Sequence, residues 1–185
     1  TEDFVGDASA AVDFLKKQAN IDPKKIGLIG HSEGGIIAPK LAIQRKDIAF
    51  IVLLAGVGIP MEDIIIEQNK EILHSIGLQV DMIERVLVLT KKAFSIIREN
   101  KKAKLTFEQF FKKFETAFMD FSPEDKLMLG LTESNWKTQY EMINSAWFRY
   151  AITIDPATYL GKVKCPVLAI NGDKDIQVEA TTNLN

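Results

Sequence analysis

The sequence predicts an α/β fold in which a short parallel sheet is interrupted by a block of helices. Three observations carry that prediction. An apolar strand lies at 25–29, and continuous apolar runs without alternation lie at 49–54 and 167–170, as expected for parallel strands covered on both faces. From about residue 60 to 150 the pattern is helical throughout, with no convincing strand. Helix-like stretches also flank the first apolar run on both sides, the alternation of an α/β layer.

Each element has a local reason. Residues 5–19 place Ala8, Ala11, Val12, Leu15 and Ala19 on one helical face, and Ile21-Asp22-Pro23 closes the helix before the first strand. After that strand, Ile36, Ile37, Leu41 and Ala42 mark a helix buried against a sheet; Pro39 falls inside it, so a kink or a later start is expected. The longest apolar run, 48–57, is too short to span a bilayer and reads as a buried strand. Met61, Ile65, Ile72 and Ile76 share helical spacing and stop at Gly77, and a second helix covers roughly 81–100. Thr106 with Gln109 reads as a capping box ahead of Phe107, Phe110, Phe111, Phe114 and Phe118, an aromatic stripe expected to pack the helical block on itself. Ser122-Pro123-Glu124-Asp125 opens a short helix ended by Gly130, and a last helix spans about 133–145. The basic cluster Arg98, Lys101, Lys102 and Lys104 reads as a solvated helix end favoured by the helix dipole.

Composition narrows the partners. With 46% apolar residues, 26% charged residues and a net charge of −2, the chain has no electrostatic reason to seek nucleic acid or an anionic membrane. Its one cysteine, Cys165, excludes an internal disulfide framework. The chain starts at Thr1 and reads as an excised piece, so compartment stays open with the cytoplasm as default.

The chemistry concentrates at Gly30-His31-Ser32-Glu33-Gly34, where a strand meets a helix. A serine on such a sharp turn is held above the sheet, and glycines two residues to either side let the backbone approach closely. The N–H of Glu33 would be one oxyanion-hole donor. A second group enters at Asn171-Gly172-Asp173-Lys174-Asp175, after the third apolar run. Ligands of parallel sheets bind beyond the carboxyl ends of the strands, so Asp173 or Asp175 would share a rim with Ser32. A carboxylate there could fix the tautomer of a histidine that accepts the serine proton.

The order Gly30-His31-Ser32-Glu33-Gly34-Gly35, Leu53-Leu54-Ala55-Gly56, Trp147-Phe148-Arg149-Tyr150, Asp155-Pro156 and Cys165-Pro166 through Asp175 resembles the α/β-hydrolase superfamily. More narrowly it resembles the lidded bacterial carboxylesterases related to the prolyl-oligopeptidase and dienelactone-hydrolase group. The resemblance implies a partial α/β-hydrolase fold with about three parallel strands: core at 1–59, a helical lid at 60–150, and core with the acid loop at 151–185. In that family the acid follows the loop glycine by three positions, which selects Asp175 over Asp173. Ser32 would be the nucleophile, Glu33 an oxyanion donor and Asp175 the acid, with a small acyl ester as substrate and no metal or organic cofactor. Peptidase or acyl-thioesterase activity on the same fold, or a non-catalytic binding protein, are the alternatives.

The departures are as informative. A triad in the order Ser, Asp, His needs a histidine after Asp175, and the two histidines, His31 and His74, both precede it. His31 sits on the strained turn itself and His74 in the helical block. The earlier strands and the loop with a second oxyanion donor are also missing, so the chain is expected to be the middle of a hydrolase and to associate with copies of itself through exposed sheet edges.

Overall fold

The computed structural model describes residues 1–100, 103–119 and 121–184, with only the backbone of Phe118. Lys101, Lys102 and the Phe118 side chain, which the sequence assigns to the basic helix end and the aromatic stripe, lie outside the described residues. The elements run α1 (Glu2–Leu15), β1 (Leu28–His31), α2 (Gly34–Gln44), β2 (Ile51–Leu54), α3 (Met61–Ser75), α4 (Val80–Glu99), α5 (Phe107–Met119), α6 (Pro123–Met128), α7 (Glu133–Ile143), α8 (Ala146–Ala151), β3 (Val167–Ile170) and α9 (Ala180–Leu184). The chain divides into two compact units, Thr1–Gln68 with Asp155–Asn185, and Asn69–Ile154. The first half of α3 thus belongs with the sheet, whereas the sequence placed the boundaries at 60 and 150.

The sheet unit is built on three parallel strands in the order β1-β2-β3, as the apolar runs predict. Leu28 pairs with Ile51 and Ile51 with Val167, so His31, Leu54 and Ile170 end level with one another. α2 packs on β1 and β2, and α1 packs on α2. Val5, Val12, Ile26, Ala38, Leu41, Ile48, Ile51 and Leu53 form the core between them, with Ala8, Leu28 and Ile37 packed against it. The face of α1 is narrower than its sequence suggests. Val5, Ala8 and Val12 are its inward stripe, while Ala11 and Leu15 are exposed. The helix also stops at Leu15, short of Ala19, because Lys17 and Gln18 donate to Phe14 and Leu15 in tighter i to i+3 turns.

One of the two alternatives at Pro39 is ruled out, and a further expectation is corrected. α2 starts at Gly34 and runs on through Pro39, so the helix does not begin later. The Pro39 ring is fully buried, and burial of this helix face offsets the N–H that proline cannot offer the Gly35 carbonyl. Nor are the strands covered on both faces. Successive strand residues point to opposite sides, and the side away from α2 carries Ile29, Leu168 and Ile170 at 71%, 54% and 49% exposure. β3 is exposed at all four positions, whereas α2 packs chiefly on β1 and β2.

The helical unit has its own core. The capping box forms as read, with Gln109 N–H donating to Thr106 Oγ1 at 3.3 Å and Thr106 N–H to Gln109 Oε1 at 2.9 Å. Phe110 and Phe114 are fully buried and stacked at 5.5 Å, and Tyr140 and Trp136 of α7 lie 5.0 and 4.3 Å from them. The Tyr140 hydroxyl donates to the Leu105 carbonyl and accepts from Asn144; burial pushes its pKa up. Arg149 of α8 joins the group, donating to Asn144 Oδ1 at 2.9 Å and to the Asn100 carbonyl, at the end of α4, at 2.6 Å. A cation suits that helix terminus. In α3 the buried residues are Met61, Ile64 and Ile66, with Ile72 exposed; Ile76, just past its end, is exposed too, and Gly77 follows with φ +86°. Among the described residues, no helix is long and apolar enough to cross a membrane.

One polar clamp ties α1 to the end of α2. Arg45 donates from Nε and Nη2 to Asp47 at 2.9 and 2.7 Å, reaches Asp13 at 2.7 Å, and bonds Ser9 Oγ at 2.9 Å; Lys16 adds a second cation to Asp47 at 2.7 Å. The Arg45 hydrogen bonds, then Lys16, hold the Asp47 carboxyl well below its usual 3.8, and Arg45 lowers Asp13 as well. A carboxyl depressed by folding contributes stability above its unfolded pKa and loses it as pH falls. Arg45→Met is therefore expected to cost about 1–2 kcal/mol in urea unfolding at pH 7. The deficit should shrink at pH 3; an equal deficit at both pH values would exclude the ionic clamp as its source.

Candidate active site

β1 ends at His31, and the next residue, Ser32, has φ +52°, left-handed backbone that non-glycine residues rarely adopt. Ser32 N–H donates to the Leu54 carbonyl at 3.1 Å, extending the β1–β2 ladder by one rung. Glu33 (φ −55°, ψ −30°) is the N-cap of α2, and Gly35 N–H donates back to Ser32 O at 2.8 Å. Strand, one left-handed residue and helix follow within three residues, so the Ser32 side chain is exposed at the strand's carboxyl end.

Glycines make room for the turn, though not the pair the motif singles out. A Cβ on Gly30 would collide with the Gly34 carbonyl and sit 2.9 Å from Gly35 N, so Gly30 is required. Gly34 has open space around it. The second tight position is Gly35, whose Cβ would run into Gly56 Cα and lie 3.2 Å from Val57 N. The elbow helix and the loop after β2 therefore touch backbone to backbone. Ala55, at the start of that loop, has φ +46°, a second left-handed residue that nothing in the sequence signals.

Asp175 lies on the loop after β3, half-buried, its Oδ1 accepting from Gln177 N–H at 2.9 Å and Val178 N–H at 3.1 Å. Asp173 is exposed and takes no hydrogen bond among the described residues. Because the strand ends are level and neighbouring strands lie about 4.8 Å apart, the end of β1 at Ser32 and the end of β3 before the Asp175 loop are roughly 10 Å apart across β2. The structure thus puts Ser32, Glu33 and Asp175 on one rim of the sheet unit. His31 is on that rim too, sharing the exposed face with Ile29. His74 is exposed in the last turn of α3 and belongs to the helical unit. Glu33 turns its carboxylate to Thr1, whose hydroxyl donates to it at 2.6 Å.

Sequence reasoning missed Asn183. This buried residue of α9 accepts from Gly58 N–H at 2.8 Å and donates to Gly56 O at 2.8 Å and Asn171 Oδ1 at 2.9 Å. α9 is itself capped by Glu179, whose carboxyl is lowered to about 2 by the Thr182 hydroxyl and then by the N–H groups of Thr182 and Thr181. An open hollow of about 400 Å³ lined by Lys16, Lys24, Lys46 and Asp47 is at the other end of the strands, before β1 and β2, and has no part in this rim. Among the described residues, no three His, Cys, Asp or Glu side chains gather as a metal-ligand set.

Three parallel strands in sequence order, a helix laid on them directly after the first, and a long helical insertion between the second and third make this a partial α/β-hydrolase fold. Residues 9–144 match the family described as BAAT / acyl-CoA thioester hydrolase C terminal, and the chain belongs to that family. The matched span includes Ser32 and most of the helical unit; Asp175 lies beyond it. A hydrolase is common ground between this family and the resemblance read from the motifs, but the match does not name the narrower carboxylesterase group. No curated protein matches the chain significantly.

Left-handed backbone at a non-glycine residue costs on the order of 1 kcal/mol. Ser32→Gly is therefore expected to raise stability by roughly that amount in urea unfolding, while Gly30→Ala lowers it by several times as much. A Ser32→Gly variant no more stable than the parent would show that the turn carries no strain.

Proposed function

We propose that this chain carries the nucleophile and the acid of a serine hydrolase that cleaves small acyl esters or thioesters. The observation that carries the reading is the strained, exposed Ser32 between β1 and α2 on the rim that also holds Asp175. Ser32 Oγ attacks the acyl carbonyl and forms an acyl-enzyme, which water then hydrolyses. The Glu33 N–H, at the head of α2, donates to the developing oxyanion, and the helix dipole favours that negative charge.

Asp175 orients a histidine that takes the Ser32 proton and returns it to the leaving group. That histidine comes from outside these 185 residues, since a base in the order Ser, Asp, His follows the acid. The two N–H donors on Asp175 Oδ1 leave its second oxygen to accept from the imidazole. Asp173, exposed and outside this hydrogen bonding, has no such preparation.

Carboxylic esters are the substrate class read from the motifs, and acyl thioesters the class favoured by the family match. Both reach the same acyl-enzyme, so the leaving group, alcohol or thiol, separates them. This chain alone should turn over a p-nitrophenyl ester and an acyl-CoA near background, equal to its Ser32→Ala variant. In a form that carries the histidine, Ser32→Ala and Asp175→Asn should each reduce kcat/KM by about three to four orders of magnitude, and Asp173→Asn should change it little. A large Ser32-dependent rate from the 185 residues alone would make His31 or His74 the base and overturn the assignment.

A further inference from the structure

We propose that Asn183 and Asn171 form a positioning relay that sets the Asp175 loop against the Ser32 elbow. The proposal rests on the reading of Asp175 as the orienting acid, and its hydrogen bonds form one continuous path. Gly35 in the first turn of α2 abuts Gly56. Gly56 O accepts from Asn183 Nδ2, and Gly58 N–H donates to Asn183 Oδ1. Asn183 Nδ2 also donates to Asn171 Oδ1, and Asn171 Nδ2 donates at 2.8 Å to Val178 O. Val178 N–H then donates to Asp175 Oδ1. The path crosses from the elbow to the acid over the end of β2, the strand that separates them.

Three features make this more than incidental bonding. Asn183 is 7% exposed, so each amide atom must find a partner within the fold, and both its donors and its acceptor do. Gly58 has no space for a side chain, since a Cβ there would meet the backbone carbonyl of Asn183. Finally, all four residues of β3 are exposed, so the strand adds little side-chain packing to its loop, and the polar links supplement the one buried apolar anchor there, Val178. Asn171 and Asn183 touch no reacting atom; they are positioning residues, acting through Val178 on Asp175.

Amide exchange measured by NMR on the 185-residue chain tests the relay without reference to activity. In Asn183→Asp, which keeps the shape and the acceptor for Gly58 but loses both donors, the Gln177 and Val178 amides should exchange about tenfold faster or more. Asn171→Ala should do the same. The Leu28 amide, bonded to Phe50 O within the sheet unit, should stay protected in both variants, and Asp173→Asn should alter none of these amides. Unchanged exchange at Gln177 and Val178 would overturn the proposal. So would loss of Leu28 protection in both variants, which would make the asparagines general folding contacts.

In a turnover-competent form, Asn171→Ala, which adds no charge, should lower kcat on the order of tenfold with KM nearly unchanged. The acidic limb of kcat/KM should move to lower pH, because an imidazole that loses a well-placed carboxylate is less basic. A purely structural role would leave that limb in place. Turnover that survives Asp175→Asn would sink the functional reading while leaving the exchange result to stand by itself.

Discussion

The backbone contact between the first turn of α2 and the ends of β1 and β2 is the constraint on which the sheet unit depends. Gly30 lies against the Gly34 carbonyl and Gly35 against Gly56, so two side-chain-free positions let the helix begin within three residues of the strand. From that start, α2 lies across β1 and β2 and buries Ile36, Ala38 and Leu41. α1 packs on its outer side and is held there by Arg45. Move the start of α2 by one residue and this inward face turns by about 100°, from core to solvent. Ser32 is the residue that absorbs the change of direction, with φ +52°. Strain of on the order of 1 kcal/mol at one residue is tolerable because a layer of buried apolar side chains, each worth more than that, fixes both ends of the turn.

The level ends of the three strands extend this constraint into chemistry. Parallel register places His31, Leu54 and Ile170 side by side, so the residues after them form a row. Left-handed backbone occurs at two places in that row, Ser32 and Ala55, where the chain must leave the sheet at once. The loop after β3 leaves differently, through a turn in which Asp175 N–H donates to Gly172 O at 3.2 Å and its own carboxylate takes two further N–H groups. The Asp175 carboxylate is therefore built into the turn that presents it.

Much of this was legible in the sequence. Unbroken apolar runs marked the strands, and β3 matched residue for residue; the Thr106 and Gln109 cap and the Ser122-Pro123 helix start were legible because their chemistry is local. Phe110 and Phe114 are core, as an apolar stripe at helical spacing usually is. What escaped depended on contacts distant in sequence. Apolar content alone could not say that β3 is exposed at all four positions, nor that Ile72 is exposed in a helix whose buried residues are Met61, Ile64 and Ile66. Asn183 was illegible for the same reason, its partners Gly56 and Gly58 lying 127 and 125 residues away.

The two polar clusters of the sheet unit differ in a way that suits their places. At the junction of α1 and α2 the work is done by charges, Arg45 and Lys16 against Asp13 and Asp47, whose strength varies with pH. At the rim the links are amides, which keep the same protons across the whole range in which an imidazole titrates. A lysine or arginine in place of Asn171 or Asn183 could bind the loops together as firmly. It would also set a permanent cation near Asp175, competing for the same carboxylate with the imidazolium that the proposed function assigns to it. Neutral donors hold the geometry and add no charge of their own beside the Asp175 carboxylate.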